Sequence, residues 1–286
     1  MTIDYDKLLN RRFPVVEHRY TRRDTMLYAL GVGLGMDPME REPLRFVYEA
    51  ELEVLPTMAA VLAIPGFWVR EPDTGVDWVR VVHGEQDMVF HRPLAPEGTI
   101  KAQTRVTGIV DKGPGKGALI YSEREGVDAA SGETLFTVRQ TTFARGDGGF
   151  GGPDGPVRPP HEMPTRPPDE HCDLPTLPQA ALIYRLSGDY NPLHADPDVA
   201  AQAGYPRPIL HGLCTLGVAG HALLKSCCGF DPARLRSMQV RFTAPVFPGE
   251  TIRTEIWRDG GVVSYRARVL ERDAVVLNNG RAEVSA

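Results

Sequence analysis

Cysteine is scarce in this chain. Four residues in 286, Cys172, Cys214, Cys227 and Cys228, are too few for a disulfide framework. No Cys-x-x-Cys pair stands beside a second ligand pair, so reduced thiols and no metal are expected. An excess of one charge is also missing. With 32 basic against 37 acidic residues the net charge is −5, too mild for a general nucleic-acid or anionic-membrane binder. No apolar window approaches the roughly 18 residues of a membrane helix, and Met-Thr-Ile-Asp-Tyr-Asp-Lys7 has no basic stretch leading into an apolar run. The last residues, Ala-Glu-Val-Ser-Ala286, are not a Ser-Lys-Leu type of address, so a cytoplasmic location is the expectation. Hydrophobic residues make up 42%, enough to core one large domain or two ordinary ones.

What is present is a duplication. Phe90-His-Arg-Pro-Leu-Ala-Pro-Glu-Gly-Thr-Ile-Lys101 aligns without a gap on Phe242-Thr-Ala-Pro-Val-Phe-Pro-Gly-Glu-Thr-Ile-Arg253, matching at Phe, both prolines, Thr, Ile and the final base. In each copy the prolines bracket a turn, and strand chemistry follows at Thr99–Val106 and Thr251–Trp257, with return strands at Ala118–Arg124 and Val262–Val269. Upstream of the repeated strands, Thr25–Leu34 and Gly212–Leu224 read as buried helices whose glycines make them depend on tertiary packing. The first of these carries Gly31, Gly33 and Gly35, which predicts a short or broken helix. Between the halves, residues 146–174 are rich in Gly and Pro and read as a surface linker, with Gly148–Gly152 flexible by composition. The expected organisation is therefore 1–145, a linker at 146–174, and 175–286, in an α+β fold.

Titratable residues gather in the second half. Tyr184-Arg-Leu-Ser-Gly-Asp-Tyr-Asn-Pro-Leu-His194 is dense in turn formers, and Pro192 pushes Asn191 out of helical geometry, so Asp189 and His194 sit on a loop. A helix follows, with Asp196 as its cap, Pro197 at its first position and Gly204 as its stop. A carboxylate and an imidazole that touch one water suit its addition across a double bond at neutral pH, and Asn191 could orient the water. The plain structural alternative is an Asx turn at Asp189 and Asn191 with His194 packed beside the helix. In Pro208-Ile-Leu-His-Gly-Leu-Cys-Thr215, Gly212 opens the apolar helix, where bare N–H groups attract negative charge; Gly212 could equally serve helix packing alone. His211 and His221 read as structural.

These two motifs together resemble the signature of MaoC-type (R)-specific enoyl-CoA hydratases, and in particular the hydratase 2 domain of peroxisomal multifunctional enzymes. The resemblance extends over Tyr28–Gly33, Val47–Glu49, Leu55–Thr57, His83–Gln86, Asp111–Gly113, Gly148–Gly152 and Arg166–Asp169. It implies a double hot-dog fold, two antiparallel sheets each wrapped around a helix. It also implies reversible hydration of trans-2-enoyl-CoA to the (R)-3-hydroxyacyl-CoA in fatty-acid or steroid side-chain β-oxidation, without a cofactor beyond the coenzyme A of the substrate. By it Asp189 and His194 are the catalytic pair, Asn191 assists and the Gly212 N–H receives the oxyanion. His83, Gly84, Lys112, Tyr190 and Phe242 line the acyl-CoA path, with Glu49 in a supporting role. His83 has a plain alternative as a core histidine bonded near Glu85 or Gln86. Lys112-Gly-Pro-Gly-Lys-Gly117 lacks the Ser/Thr of a phosphate loop and reads as a hairpin. The expected partner is acyl-CoA, with a homodimer as the assembly. A dehydratase of carrier-protein thioesters, an acyl-CoA thioesterase and a noncatalytic acyl-CoA binder are the rivals, because the fold alone does not choose among them.

Overall fold

Both repeated segments become strand–turn–strand units, and the pairing that they seed organises the whole chain. The computed structural model describes Thr2–Ser285. The first half contributes α1 (Tyr5–Leu9), β1 (Val15–Tyr20), α2 (Arg22–Gly31), α3 (Arg41–Leu44), β2 (Val81–Phe90), β3 (Gly98–Asp111), β4 (Ala118–Asp128) and β5 (Thr134–Ala144). The second contributes β6 (Glu170–Pro175), α4 (Ala180–Tyr184), α5 (Pro197–Gln202), α6 (Gly212–Cys228), β7 (Leu235–Phe242), β8 (Thr251–Asp259), β9 (Val262–Val269) and β10 (Ala274–Val284). The strand order is β1-β3-β4-β5-β2-β7-β10-β9-β8-β6, every neighbour antiparallel. Each half is thus the same five-strand arrangement, and the two half-sheets are joined into one by β2 against β7. That seam runs from Glu85 opposite Arg241 to Val89 opposite Ser237, and Glu85 and Arg241 are also ion-paired. This is the double hot-dog fold. No helix among the described residues is long and apolar enough to cross a membrane.

The halves differ in what their sheets enclose. In the second, α6 runs for 17 residues and packs on β6, β7, β8 and β10. Burial of Leu216, Val218, Leu223 and Leu224 on opposite sides of its axis offsets the low helix propensity of its glycines, and Gly229 ends it at φ +59°. Two of those glycines allow close approach to the first half: a Cβ at Gly217 would lie 2.5 Å from Val32, and one at Gly220 would lie 2.6 Å from Thr57. In the first half, the Thr21–Asp24 capping box starts α2 at Arg22, three residues earlier than expected, and the helix stops at Gly31, ahead of Gly33 at φ +85°. It packs mainly on α4. The segment that lies over β2 and β5 is a single 3-10 turn, Pro56–Ala60. The first sheet therefore wraps a turn where the second wraps a helix.

The Gly/Pro-rich stretch lies against the sheet, Arg158–His161 lining a cleft with Tyr121, Gln140 and Arg241, and two details differ from the sequence reading. Strand pairing resumes at Glu170, ahead of the expected residue 175, because an edge strand tolerates the flanking prolines. Nor is Gly148–Gly152 free, since the Asp111 carboxylate, only 6% exposed, accepts N–H groups from Gly113, Gly149 and Gly151 at 2.7–2.9 Å. Composition alone could not reveal a clamp supplied by a distant strand. Replacing Asp111 with Ala would leave three backbone donors unmatched. A loss of about 2–3 kcal/mol in urea unfolding is expected, with new protease cleavage inside Gly148–Gly152; an unaltered digestion pattern would remove Asp111 as the clamp.

Candidate active site

The Asp189–His194 loop lies at the start of α6, and its local chemistry explains why it holds one shape. Asp189 Oδ1 accepts the Asn191 N–H at 3.1 Å, and Asn191 Oδ1 accepts the Leu193 N–H at 3.1 Å, two successive Asx turns. A 3-10 turn, Pro192–His194, follows, then α5 with Asp196 as cap and Pro197 first. The turn chemistry and the clustering of reactive groups are therefore both present. Asn191 spends its carbonyl oxygen on the turn and keeps only its amide NH2 for other partners.

His194 is buried, and its Nδ1 lies 2.9 Å from the Ile209 carbonyl. A carbonyl only accepts, so Nδ1 carries the proton and Nε2 presents a bare lone pair. Burial lowers the His194 pKa below its ordinary value, with the Ile209 bond and the charge of Asp189 opposing. His211, read from sequence as structural, belongs to the same cluster. Its ring stacks on His194 at 3.7 Å between centroids and 27° between planes, and its Nε2–H reaches the Asp189 backbone oxygen at 3.1 Å. Its Nδ1 is buried without a partner among the described residues. Burial, then the neighbouring His194, push its pKa down to about 4. The signal that could have exposed it was its place immediately before Gly212. Ligand atoms of Asp189, His194 and His211 lie within 4.8 Å of one another, a donor set that would also admit a divalent cation.

The expected binding residues divide into two groups. His83 joins the cluster. Its ring meets Phe242 at 4.5 Å, Asp189 is among its charged neighbours, and burial lowers its pKa to about 4 while its Nε2–H bonds the Glu85 carbonyl at 3.1 Å. Phe242 reaches on to Gly212, where a Cβ would lie 3.2 Å from its ring. Among the described residues no side chain caps α6 at His211, so the Gly212 end keeps bare N–H groups beside the two histidines. Gly84 sits where β2 approaches β5, a Cβ there lying 3.2 Å from the Thr141 oxygen. Three expected residues stand apart. Tyr190 is exposed beneath the Arg185 guanidinium, and Lys112 is exposed on the β3–β4 hairpin, its ammonium 5.0 Å over the Phe143 ring. Glu49 is exposed, and its backbone oxygen accepts a hydrogen bond from Arg22.

A double hot-dog with a carboxylate and two imidazoles gathered in one half, beside a bare helix start, defines the class. Comparison with known proteins gives the family. Residues 18–146 match the MFE-2 hydratase 2 N-terminal domain and residues 160–279 the MaoC like domain. The peroxisomal enoyl-CoA hydratase 2 of Arabidopsis thaliana is 39% identical, over 95% of this chain and 93% of its own length. The 3-hydroxyacyl-thioester dehydratase Y of Mycobacterium tuberculosis is 43% identical, over 93% of each. A crystal structure of a MaoC-like dehydratase from Phytophthora Capsici superposes with a TM-score of 0.86 at 36% identity, covering 98% of both chains. The chain belongs to the MaoC-like family in its hydratase 2 branch, and is an enzyme of the hydro-lyase class.

Three buried histidines, His83, His211 and His221, have pKa values of about 4, burial being the first cause in each. Unfolding restores their ordinary value near 6.5, so below that pH the unfolded chain binds protons that the folded one does not. Their neutral forms stabilise the fold fully above pH 6.5, and this contribution is lost as the pH falls toward about 4. Urea unfolding between pH 7.5 and 4 should show stability declining across that window; a flat profile would contradict the buried, neutral assignment.

Proposed function

We propose that the chain reversibly hydrates trans-2-enoyl-CoA to (R)-3-hydroxyacyl-CoA, in fatty-acid or steroid side-chain β-oxidation. The observation that carries this reading is the cluster of Asp189, His194 and His211 beside the bare N–H groups at Gly212. The Asp189 carboxylate and the His194 Nε2 lone pair both accept from one water. His194 takes a proton from it as the oxygen attacks C3. Negative charge then grows on the thioester oxygen, where the Gly212 N–H donates to it. The proton taken from water goes to C2, so atoms and charge balance without an external acid. A carbonyl near Gly212 lies beside Phe242, with His83 across that ring. Asn191 contributes through its amide NH2. Gly84, Lys112 and Tyr190 lie along the coenzyme A path of this reading, and Glu49 acts only in support.

The names of the relatives favour the same chemistry run in either direction. Run in reverse on a carrier-protein thioester, the same groups would act as a dehydratase. A homodimer fits this reading, with a complete set of reacting groups in each chain.

Loss of absorbance of the enoyl thioester, with chiral analysis of the product, tests the reaction. Asp189→Asn and His194→Gln should each lower kcat by about 100- to 10,000-fold while substrate still binds. Chelating agents should leave the rate unchanged. Unchanged turnover in either variant, or release of free CoA from saturated and unsaturated thioesters alike, would sink the reading.

His211 acts on this scheme as a positioning residue. Its Nε2–H fixes the Asp189 backbone and its face supports the His194 ring. His211→Phe keeps the stack and loses the bond. A fall of about 100-fold in kcat with little change in KM is expected. A change in KM alone would assign His211 to substrate binding instead.

A further inference from the structure

The concave face of the first half-sheet carries an arginine that nothing described so far uses. Arg124, on β4, is 7% exposed and has no carboxylate partner among the described residues. Its Nη2 donates to the carbonyls of Ala59 and Ala60 at 2.9 and 3.1 Å, both in the 3-10 turn that stands in the place of a helix in this half. No acceptor among the described residues meets its buried Nε. Burial without a counter-charge pushes its pKa down to about 10.

Arg124 has polar company. Thr104 lies opposite it on β3, and Ser122 lies two residues away on the same face of β4. Ser122 faces Gln140 on β5, and Gln140 faces Gln86 on β2. Gln86 is 2% exposed, and its amide nitrogen also lacks a partner among the described residues. This diagonal of polar side chains separates an apolar cluster containing Ala102, Phe136, Val138 and Met88 from another containing Val106, Ile109 and Ile120. It ends near His83, on the same strand as Gln86. Strand spacing and rise put the backbone of Arg124 roughly 15 Å from that of His83, the reach of a medium-length acyl chain.

An alkyl chain laid along this face would leave the Arg124 and Gln86 donors desolvated and unmatched, which disfavours it. An oxygen atom in the chain would satisfy them. We propose that Arg124 is a specificity-determining residue, and that the chain takes enoyl thioesters whose acyl group carries an acceptor oxygen far from the thioester. Hydroxyl, ketone and carboxylate all supply that chemistry. The proposal rests on the hydratase reading given above and narrows its substrate class.

The test compares kcat/KM for trans-2-enoyl-CoA substrates of increasing length, each with a plain, an ω-hydroxy, an ω-oxo and an ω-carboxy end. A four-carbon enoyl-CoA, too short to reach Arg124, reports hydration itself. The wild-type enzyme should favour at least one oxygenated series by about 10- to 100-fold at medium length, and show no such preference among the shortest chains. Arg124→Met, which keeps the aliphatic bulk, should erase the preference and leave four-carbon turnover unchanged. Equal or better rates for plain chains at every length would overturn the proposal, as would a preference that survives in Arg124→Met. If the Met variant does not fold, the wild-type comparison decides. No turnover of any substrate is a different result, and it overturns the hydratase reading and this proposal together.

Discussion

The pairing of β2 with β7 is the interaction on which the remainder depends. Each half-sheet alone would present an unpaired edge along a strand with apolar residues, and such edges invite association. Joined, the two edges satisfy each other from Glu85–Arg241 to Val89–Ser237. The same seam sets His83, on one half, against Phe242, on the other, and Phe242 leans on the first residue of α6. The Asp189, His194 and His211 cluster belongs to the second half, but the wall beside it is made at the junction.

Around that junction the side chains are kept uncharged by burial and oriented by backbone carbonyls. Ile209 holds His194, the Asp189 carbonyl holds His211, the Glu85 carbonyl holds His83, and Val32 holds His221 at 3.3 Å. Each carbonyl selects which ring nitrogen carries the proton. Backbone atoms in regular or tightly turned structure do not rotate away, so this control is as rigid as the fold itself. It places a bare imidazole nitrogen in a site where Asp189 is the nearest carboxylate of the cluster.

Much of this architecture was legible in the sequence, and the exceptions have identifiable causes. The duplication was visible because the Phe-x-x-Pro-x-x-Pro-x-x-Thr-Ile pattern encodes a turn and a strand start, both local. The loop at Asp189 and the helix after it were visible because Asp, Asn, Pro and Gly act over three or four residues. The place of His211 in the cluster was not, because its bond to Asp189 and its stacking on His194 cross 22 and 17 positions and its own neighbourhood reads as helix core. The Asp111 clamp was hidden for the same reason. So was the filling of the first sheet: the glycines foretold that α2 would be short, but only the packing of Pro56–Ala60 onto β2 and β5 reveals what occupies the place of a core helix.

That replacement has a consequence for how such a protein can change over generations. On the proposed reading, a duplicated chain in which one copy holds the Asp189, His194 and His211 cluster leaves the other under a different constraint: it must preserve the seam strand and the His83 ring against Phe242. The 3-10 turn is buried and meets α6 at Thr57, but it carries none of the Asp189, His194 and His211 cluster, whereas α6 begins beside that cluster and its glycines are pressed against Val32 and Thr57. If the second half carries the proposed chemistry, new substrates can be acquired in the first half while the Asp189 cluster stays still, a separation that lets selection explore substrate range without risking the reaction.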